Sequence, residues 1–220
     1  MLKVKTPTVA AMACLTLLVG LEPAIAQPTY SLSISRHPSV QLTEDKVDRI
    51  LADASRMLQK KSGYKDRPDN VACNVTLKRD GAVHTFASSN TPAVITNESE
   101  RDAVHKENFE PNLVNLHVVK KIEFCRPGLG NSFRGCSWPH YFQSIIVAVD
   151  RPVPHLVWPH EFGHLTGLWH RQDQLPRALM SPCPLTNNNV QVTRDECDCF
   201  LSGPGTCKPP EPQPPAQCTR

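Results

Sequence analysis

Residues 160–170 read HEFGHLTGLWH, and the rest of the sequence is best interpreted outward from this stretch. His160 and His164 are four residues apart, so on a helix their rings project from one face and can bind one metal ion. Gly167 can adopt a positive φ at little cost, which ends the helix and brings His170 back to the same metal. Three neutral imidazoles leave a fourth position for water, as in catalytic zinc sites. The stretch therefore predicts that His160, His164 and His170 bind Zn²⁺.

Glu161 gives this metal site its expected reactivity. It follows the first histidine directly, too close in sequence to be a natural third ligand but able to reach a zinc-bound water as general base. The alternative is that HExxH occurs by chance on an ordinary amphipathic helix. That alternative is disfavoured because Gly167 and His170 also stand at the required offsets.

These residues resemble the metzincin clan of zinc metallopeptidases, whose signature is HExxHxxGxxH followed by a methionine-containing turn. Residues 178–182 (ALMSP) match that turn, and the resemblance implies that Met180 forms an apolar floor beneath the histidines. It also implies an α+β fold with a mixed, mostly parallel sheet of about five strands, a backing helix, an active-site helix and a small C-terminal subdomain. The turn is most similar to that of matrixins, but Arg171 and Pro182 depart from the patterns of several branches, so the subfamily stays open.

Residues 1–26 have the organisation of a secretory signal peptide, with two early lysines, an apolar run at 9–20 and small residues at 24–26. The apolar run is short for a membrane anchor. We expect a secreted or periplasmic protein whose mature chain begins at Gln27. No cysteine switch like that of matrixins is present and the first strand begins close to this position, so we expect no propeptide.

The mature chain is expected to divide into an upper subdomain with the active-site helix (27–166), a lower subdomain with the Met-turn (167–203) and a proline-rich tail (204–220). Alternating apolar residues predict strands at 30–35, 116–124 and 144–149, and a hairpin of 71–78 and 82–88 around Asp80 and Gly81. Apolar periodicity predicts a helix at 43–60 capped by Thr43, and the capping box 193–196 begins a last helix that runs to about Leu201. Residues 89–111 are expected to be irregular. Pro159 should either begin the active-site helix or kink it.

The cysteines indicate disulfides, and the net charge limits the classes of partner. Nine cysteines, one of them inside the signal peptide, leave an even number in an exported chain, which is typical of a disulfide framework. We predict the Cys125–Cys136 bridge, and we favour disulfides over a second metal site at Cys183, Cys197 and Cys199. A net charge of +3 is too weak to indicate binding to nucleic acid or a membrane surface, and we expect a monomer.

Together these features predict an exported zinc-dependent endopeptidase acting on a protein or peptide. An extended substrate would add to an edge strand, for which 135–138 (GCSW) is the candidate. Trp158 and Trp169 either wall the site or are buried in the core. Two other functions stay open: a binding or inhibitory module that keeps the zinc fold without turnover, and a zinc hydrolase of a non-protein amide.

Overall fold

A computed structural model describes residues 27–61, 70–128, 132–137, 143–149, 152–171, 177–205 and 207. The expected signal peptide, Trp138, His140 and most of the proline-rich tail lie outside these described residues. The strands are β1 (Thr29–Arg36), β2 (Thr76–Thr85), β3 (Val94–Ile95), β4 (Val114–Val119), β5 (Lys121–Ile122), β6 (Gly135–Ser137) and β7 (Ser144–Ala148). The helices are α1 (Glu44–Leu58), α2 (Glu98–His105), α3 (Pro154–Thr166) and α4 (Arg194–Ser202).

The main sheet confirms the predicted architecture. Its five strands run in the order β2-β1-β4-β7-β6, and all neighbouring pairs are parallel except β6 with β7. β4 and β7 are buried at every position, as expected for central strands whose faces are both covered. β6 lies at one end of this order and is the antiparallel edge.

The sheet separates two hydrophobic clusters. Because side chains alternate along a strand, Ile145 and Val147 of β7 face the larger cluster while Ile146 and Ala148 face the smaller one. The larger cluster joins the sheet to α1, α3 and α4, and the smaller one includes Val104 of α2. α1 begins where the sequence predicts, because the Thr43 side chain accepts a hydrogen bond from the Lys46 amide.

The predicted hairpin around Asp80 and Gly81 is wrong. The chain continues through both residues as one strand, β2, which pairs in parallel with β1 before Asp80 and again from Val83. Gly81 adopts a φ of 64°, and the register shifts here, since two steps along β1 (Leu32 to Ile34) correspond to four along β2. Asp80 and Gly81 therefore form a bulge and not a hairpin turn. The residues on both sides of them pair with β1, and a hairpin at this point would lose that pairing.

Residues 89–111 are not irregular throughout, because they contain β3 and α2. Asn97 caps α2 by accepting a hydrogen bond from the Glu100 amide. The helix exposes mostly polar residues, so its apolar periodicity is too weak to reveal it. The strand predicted at 116–124 is also two strands, since β4 belongs to the main sheet and β5 pairs with β3 in a second one.

Disulfides join distant parts of the described chain. The predicted Cys125–Cys136 bridge is confirmed, and the others link Cys73 to Cys197 and Cys199 to Cys207. Cys183 is also disulfide-bonded. The cysteines near α4 are therefore bridges, as favoured over a second metal site. Among the described residues, no helix combines the length and the apolar character needed to cross a bilayer.

Candidate metal centre

The active-site helix α3 begins at Pro154, so Pro159 does not begin the helix but lies five residues inside it. Pro154 occupies a first-turn position, where its missing amide hydrogen costs nothing, and Pro159 lies buried inside the helix. The helix ends at Gly167, which has a φ of 113°. A Cβ at Gly167 would also lie 2.5 Å from the Cys207 carbonyl oxygen, so both conformation and space favour glycine. This turn sends the chain from the helix to His170.

The three predicted ligands meet at one point. The Nε2 atoms of His160, His164 and His170 form a triangle with sides of 3.1, 3.0 and 3.3 Å. Tetrahedral zinc with nitrogen ligands at about 2.0–2.1 Å places those nitrogens about 3.3–3.4 Å apart. Within the described residues, these three histidines form a cluster that could bind a metal, and the distances between their ring nitrogens fit one ion.

The hydrogen bonds of the rings show that two of these nitrogens are not bonded to each other. His160 Nδ1 lies 2.7 Å from the Leu179 carbonyl oxygen, and His164 Nδ1 lies 2.7 Å from that of Leu168. A carbonyl oxygen can only accept, so each Nδ1 carries the hydrogen and each Nε2 presents a lone pair. Two lone pairs 3.1 Å apart repel each other unless a cation lies between them. The donor set thus fits a metal ion.

Burial keeps the three imidazoles in the neutral form that a metal requires. Desolvation is the main cause that lowers the pKa of each ring, to about 4 for His160 and about 3 for His170. The pKa of His164 is lowered well below its ordinary value, first by burial and then by the two neighbouring histidines. Neutral histidines release no proton on binding a metal at neutral pH, which favours binding.

Met180 packs against the active-site helix. It is fully buried, and a Cβ added at Gly163 would lie 2.6 Å from its sulfur, so the side chain packs directly against α3 between the two helical ligands. The backbone of the same turn holds the site together. The Leu179 carbonyl oxygen accepts from His160, and the Met180 carbonyl oxygen accepts from the Arg171 amide at 2.7 Å. The turn therefore fixes both ends of the ligand-bearing segment.

Glu161 is buried beneath the edge strand β6. Ser137 Oγ lies 2.6 Å from Glu161 Oε2 and 2.9 Å from the main-chain oxygen of Glu161. Burial raises the pKa of Glu161 to about 8, against the lowering effect of the Ser137 hydrogen bond. A Cβ at Gly135 would lie 2.3 Å from Glu161 Oε1, so the glutamate occupies the space that this glycine leaves open. A carboxyl group with a raised pKa, next to a ligand in sequence, is suited to accept and return a proton.

Three residues shape the site through contacts between distant parts of the sequence. Ser137 and Gly135 stand far from the histidine motif, and only the fold brings them to Glu161. Arg171, which follows the third histidine, forms a buried ion pair of 3.3 Å with Glu196 in the capping box of α4. This pair connects the ligand loop to the last helix. An ion pair between residues so far apart in sequence cannot be read from spacing.

Trp158 and Trp169 differ in burial, and three other histidines lie on α2, β4 and β2. Trp158 is buried in the larger cluster, which is the core alternative, while Trp169 is half-buried with its Nε1 unpartnered among the described residues. His105 and His117 are buried around the polar face of β4, and His84 is exposed on β2. None of them joins the metal cluster within the described residues.

The fold is similar to that of several solved structures at low sequence identity. The archaemetzincin of Methanopyrus kandleri aligns with 81% of this chain and 97% of its own, at 17% identity and a TM-score of 0.49. A promirolysin variant from Tannerella forsythia covers 80% of both chains at 11% identity and a TM-score of 0.48. Metalloproteinase-II of Bacteroides fragilis covers 82% of this chain and 54% of its own, at 12% identity and a TM-score of 0.47. No protein-family model and no curated protein matches the chain. The function of this chain therefore rests on the geometry of its own residues.

Proposed function

We propose that this protein is an exported zinc-dependent endopeptidase. The observation that carries the proposal is the triangle of three Nε2 atoms, two of which have their ring hydrogens committed to carbonyl oxygens on the opposite side. Such a set needs a cation, and the metzincin-like motif around it supports zinc. Three protein ligands leave a position open, which is typical of catalytic rather than structural zinc.

His160, His164 and His170 would hold the ion, which when bound supplies a Lewis acid that polarises a carbonyl group and acidifies a water molecule. The protein's own contribution to proton transfer is Glu161. Its carboxylate receives a proton from the attacking water and then gives it to the nitrogen of the leaving amine.

The edge of the sheet supports a peptide as the substrate. β6 is the last strand in the order of the described sheet, where it pairs with β7, and its residues contact α3 beside Glu161. An extended peptide can add its own main-chain hydrogen bonds to such an edge, which would place its carbonyl groups along the metal site. The confirmed bridges support export as well, because disulfides persist in oxidising compartments.

The test compares the parent with Glu161→Gln on a denatured protein, with Glu110→Gln as the matched control. Glu110 is exposed in the loop between α2 and β4, so its amide should leave cleavage unchanged. We expect Glu161→Gln to lower kcat by about 10²-fold or more, the usual contribution of a general base, while zinc remains bound. Equal cleavage by parent and Glu161→Gln, or no cleavage of a peptide library by the zinc-loaded parent, would reject the endopeptidase and leave the binding module or the non-protein amide hydrolase.

A further inference from the structure

We propose that Ser137 is a positioning residue for Glu161, and that β6 acts as a clamp on this side chain. The proposal rests on the proposed function, because it assigns Ser137 a part in orienting the general base. It concerns a residue that lies outside the histidine motif and the Met-turn. β6, defined above as Gly135–Ser137, supplies both parts of the clamp.

The alternation of the strand points two of its three residues at Glu161. Gly135 and Ser137 pair with Val147 and Ile145 of β7, which face the larger cluster where α3 lies. Gly135 leaves room for the glutamate, because a Cβ there would lie within 2.5 Å of three of its side-chain atoms. Ser137 supplies the hydrogen bond of 2.6 Å to Oε2. One residue makes space for the carboxylate and the other holds it there.

The opposite face of β6 is anchored. Cys136 pairs with Ile146 of the smaller cluster, and its disulfide to Cys125 fixes the strand from that side. The Cys125 carbonyl oxygen accepts a hydrogen bond of 2.8 Å from the buried Arg101. The strand that carries Ser137 is therefore held on the side away from Glu161, so the serine hydroxyl has a fixed position.

Glu161 depends on this hydroxyl for its orientation. Among the described residues, Ser137 is the hydrogen-bond donor that reaches the Glu161 carboxylate. A buried carboxylate without a donor loses both the free energy of the bond and the restriction on its rotamers. Because misplacement of a reacting group by about 1 Å can cost 10²-fold in rate, the loss should appear in kcat. Partners of this kind typically contribute 10–100-fold when they are removed.

The activity test uses Ser137→Ala, Ser137→Thr and the control Ser31→Ala on one peptide substrate. Ser31 is a partly buried serine of β1 in the same sheet, away from α3. We expect Ser137→Ala to lower kcat by about 10-fold or more with KM changed less than about twofold and zinc content unchanged. Threonine keeps the hydroxyl and should restore kcat to within about threefold of the parent. An unchanged kcat in folded Ser137→Ala, or an equal loss in the alanine and threonine variants, would overturn the proposal.

A second measurement needs no activity. In a double-mutant cycle with Glu161→Ala, Ser137→Ala should lower the urea midpoint more in the parent than in the Glu161→Ala background, where the contact of Ser137 with the main-chain oxygen at position 161 remains but that with the carboxylate is lost. Equal shifts in both backgrounds would contradict the clamp even in an active enzyme. If the parent cleaves nothing while the two residues remain coupled, the proposed peptidase fails and the clamp on Glu161 stands.

Discussion

Two buried histidines outside the metal site should make the protein lose stability in acid. His105 of α2 and His117 of β4 are 2% and 1% exposed, and their ring centroids lie 6.4 Å apart. Each is held by a serine, His105 Nδ1 by Ser144 Oγ at 2.8 Å and His117 Nδ1 by Ser35 Oγ at 2.7 Å.

The size of the effect follows from the pKa of each ring. Burial lowers the pKa of His105 to about 4, assisted by Arg101 and opposed by Asp102, and it lowers the pKa of His117 to about 3, assisted by His105. Because both pKa values fall below the ordinary 6.5, the unfolded chain binds more protons, and this stabilisation is present above pH 6.5 and lost as pH falls. Between pH 6.5 and pH 5 each histidine should remove about 1.5 kcal/mol, or about 3 kcal/mol together.

Urea titrations at several pH values measure the free energy of unfolding. They are carried out on the parent, on the double variant His105→Gln/His117→Gln and on the control His84→Gln. Glu161 and Glu196 have raised pKa values and so oppose the trend, since protonating them in acid stabilises the fold. They contribute equally to parent and variant and cancel in the difference. We expect the difference in unfolding free energy between parent and double variant to change by about 3 kcal/mol between pH 6.5 and pH 5, and each single variant to show about half of that change. Parallel pH dependences of parent and double variant would refute the reasoning, and so would a change in His84→Gln.

Three further predictions concern glycines and disulfides. Gly135→Ala places a Cβ against Glu161 and should lower cleavage by about 10²-fold or more while circular dichroism shows a folded chain; activity within about threefold of the parent would count against it. Gly163→Ala crowds Met180 and should cost about 1–3 kcal/mol of unfolding free energy, partly recovered by adding Met180→Ala, whereas additive losses in urea titrations would show that the two do not touch. Replacing Cys73 and Cys197 by serine opens a bridge across a sequence separation of 124 and should cost about 5 kcal/mol, against about 3 kcal/mol for the Cys125–Cys136 bridge with a separation of 11; equal losses would contradict the chain-entropy reasoning.

The metal site could be predicted from the sequence because all its ligands lie in one local segment. The spacing of His160 and His164 and the positive φ of Gly167 are properties of a helix and its end, and the structure places the rings as that geometry requires. The caps at Thr43 and Thr193 are equally local and are confirmed. Local hydrogen bonds can be read from a few consecutive residues.

Features that depend on distant partners could not be predicted. Asp80 and Gly81 favour a hairpin turn by themselves, but β1 pairs with the residues on both sides and makes them a bulge. α2 has a good cap at Asn97 but little apolar periodicity, since its contacts come from one narrow face. Ser137, Gly135 and Glu196 reach the site only through sheet order and helix packing. These contacts join residues that are far apart in sequence, and no spacing rule contains them.

The central claim is that His160, His164 and His170 together bind one metal ion. Its most direct test is the zinc content, by mass spectrometry, of the parent and of His170→Ala after both are loaded with zinc and dialysed, with His84→Gln as a control. We predict one zinc per chain in the parent and in His84→Gln, and a loss of most of it in His170→Ala. A parent that retains no zinc, or a His170→Ala variant that retains a full equivalent, would contradict the claim.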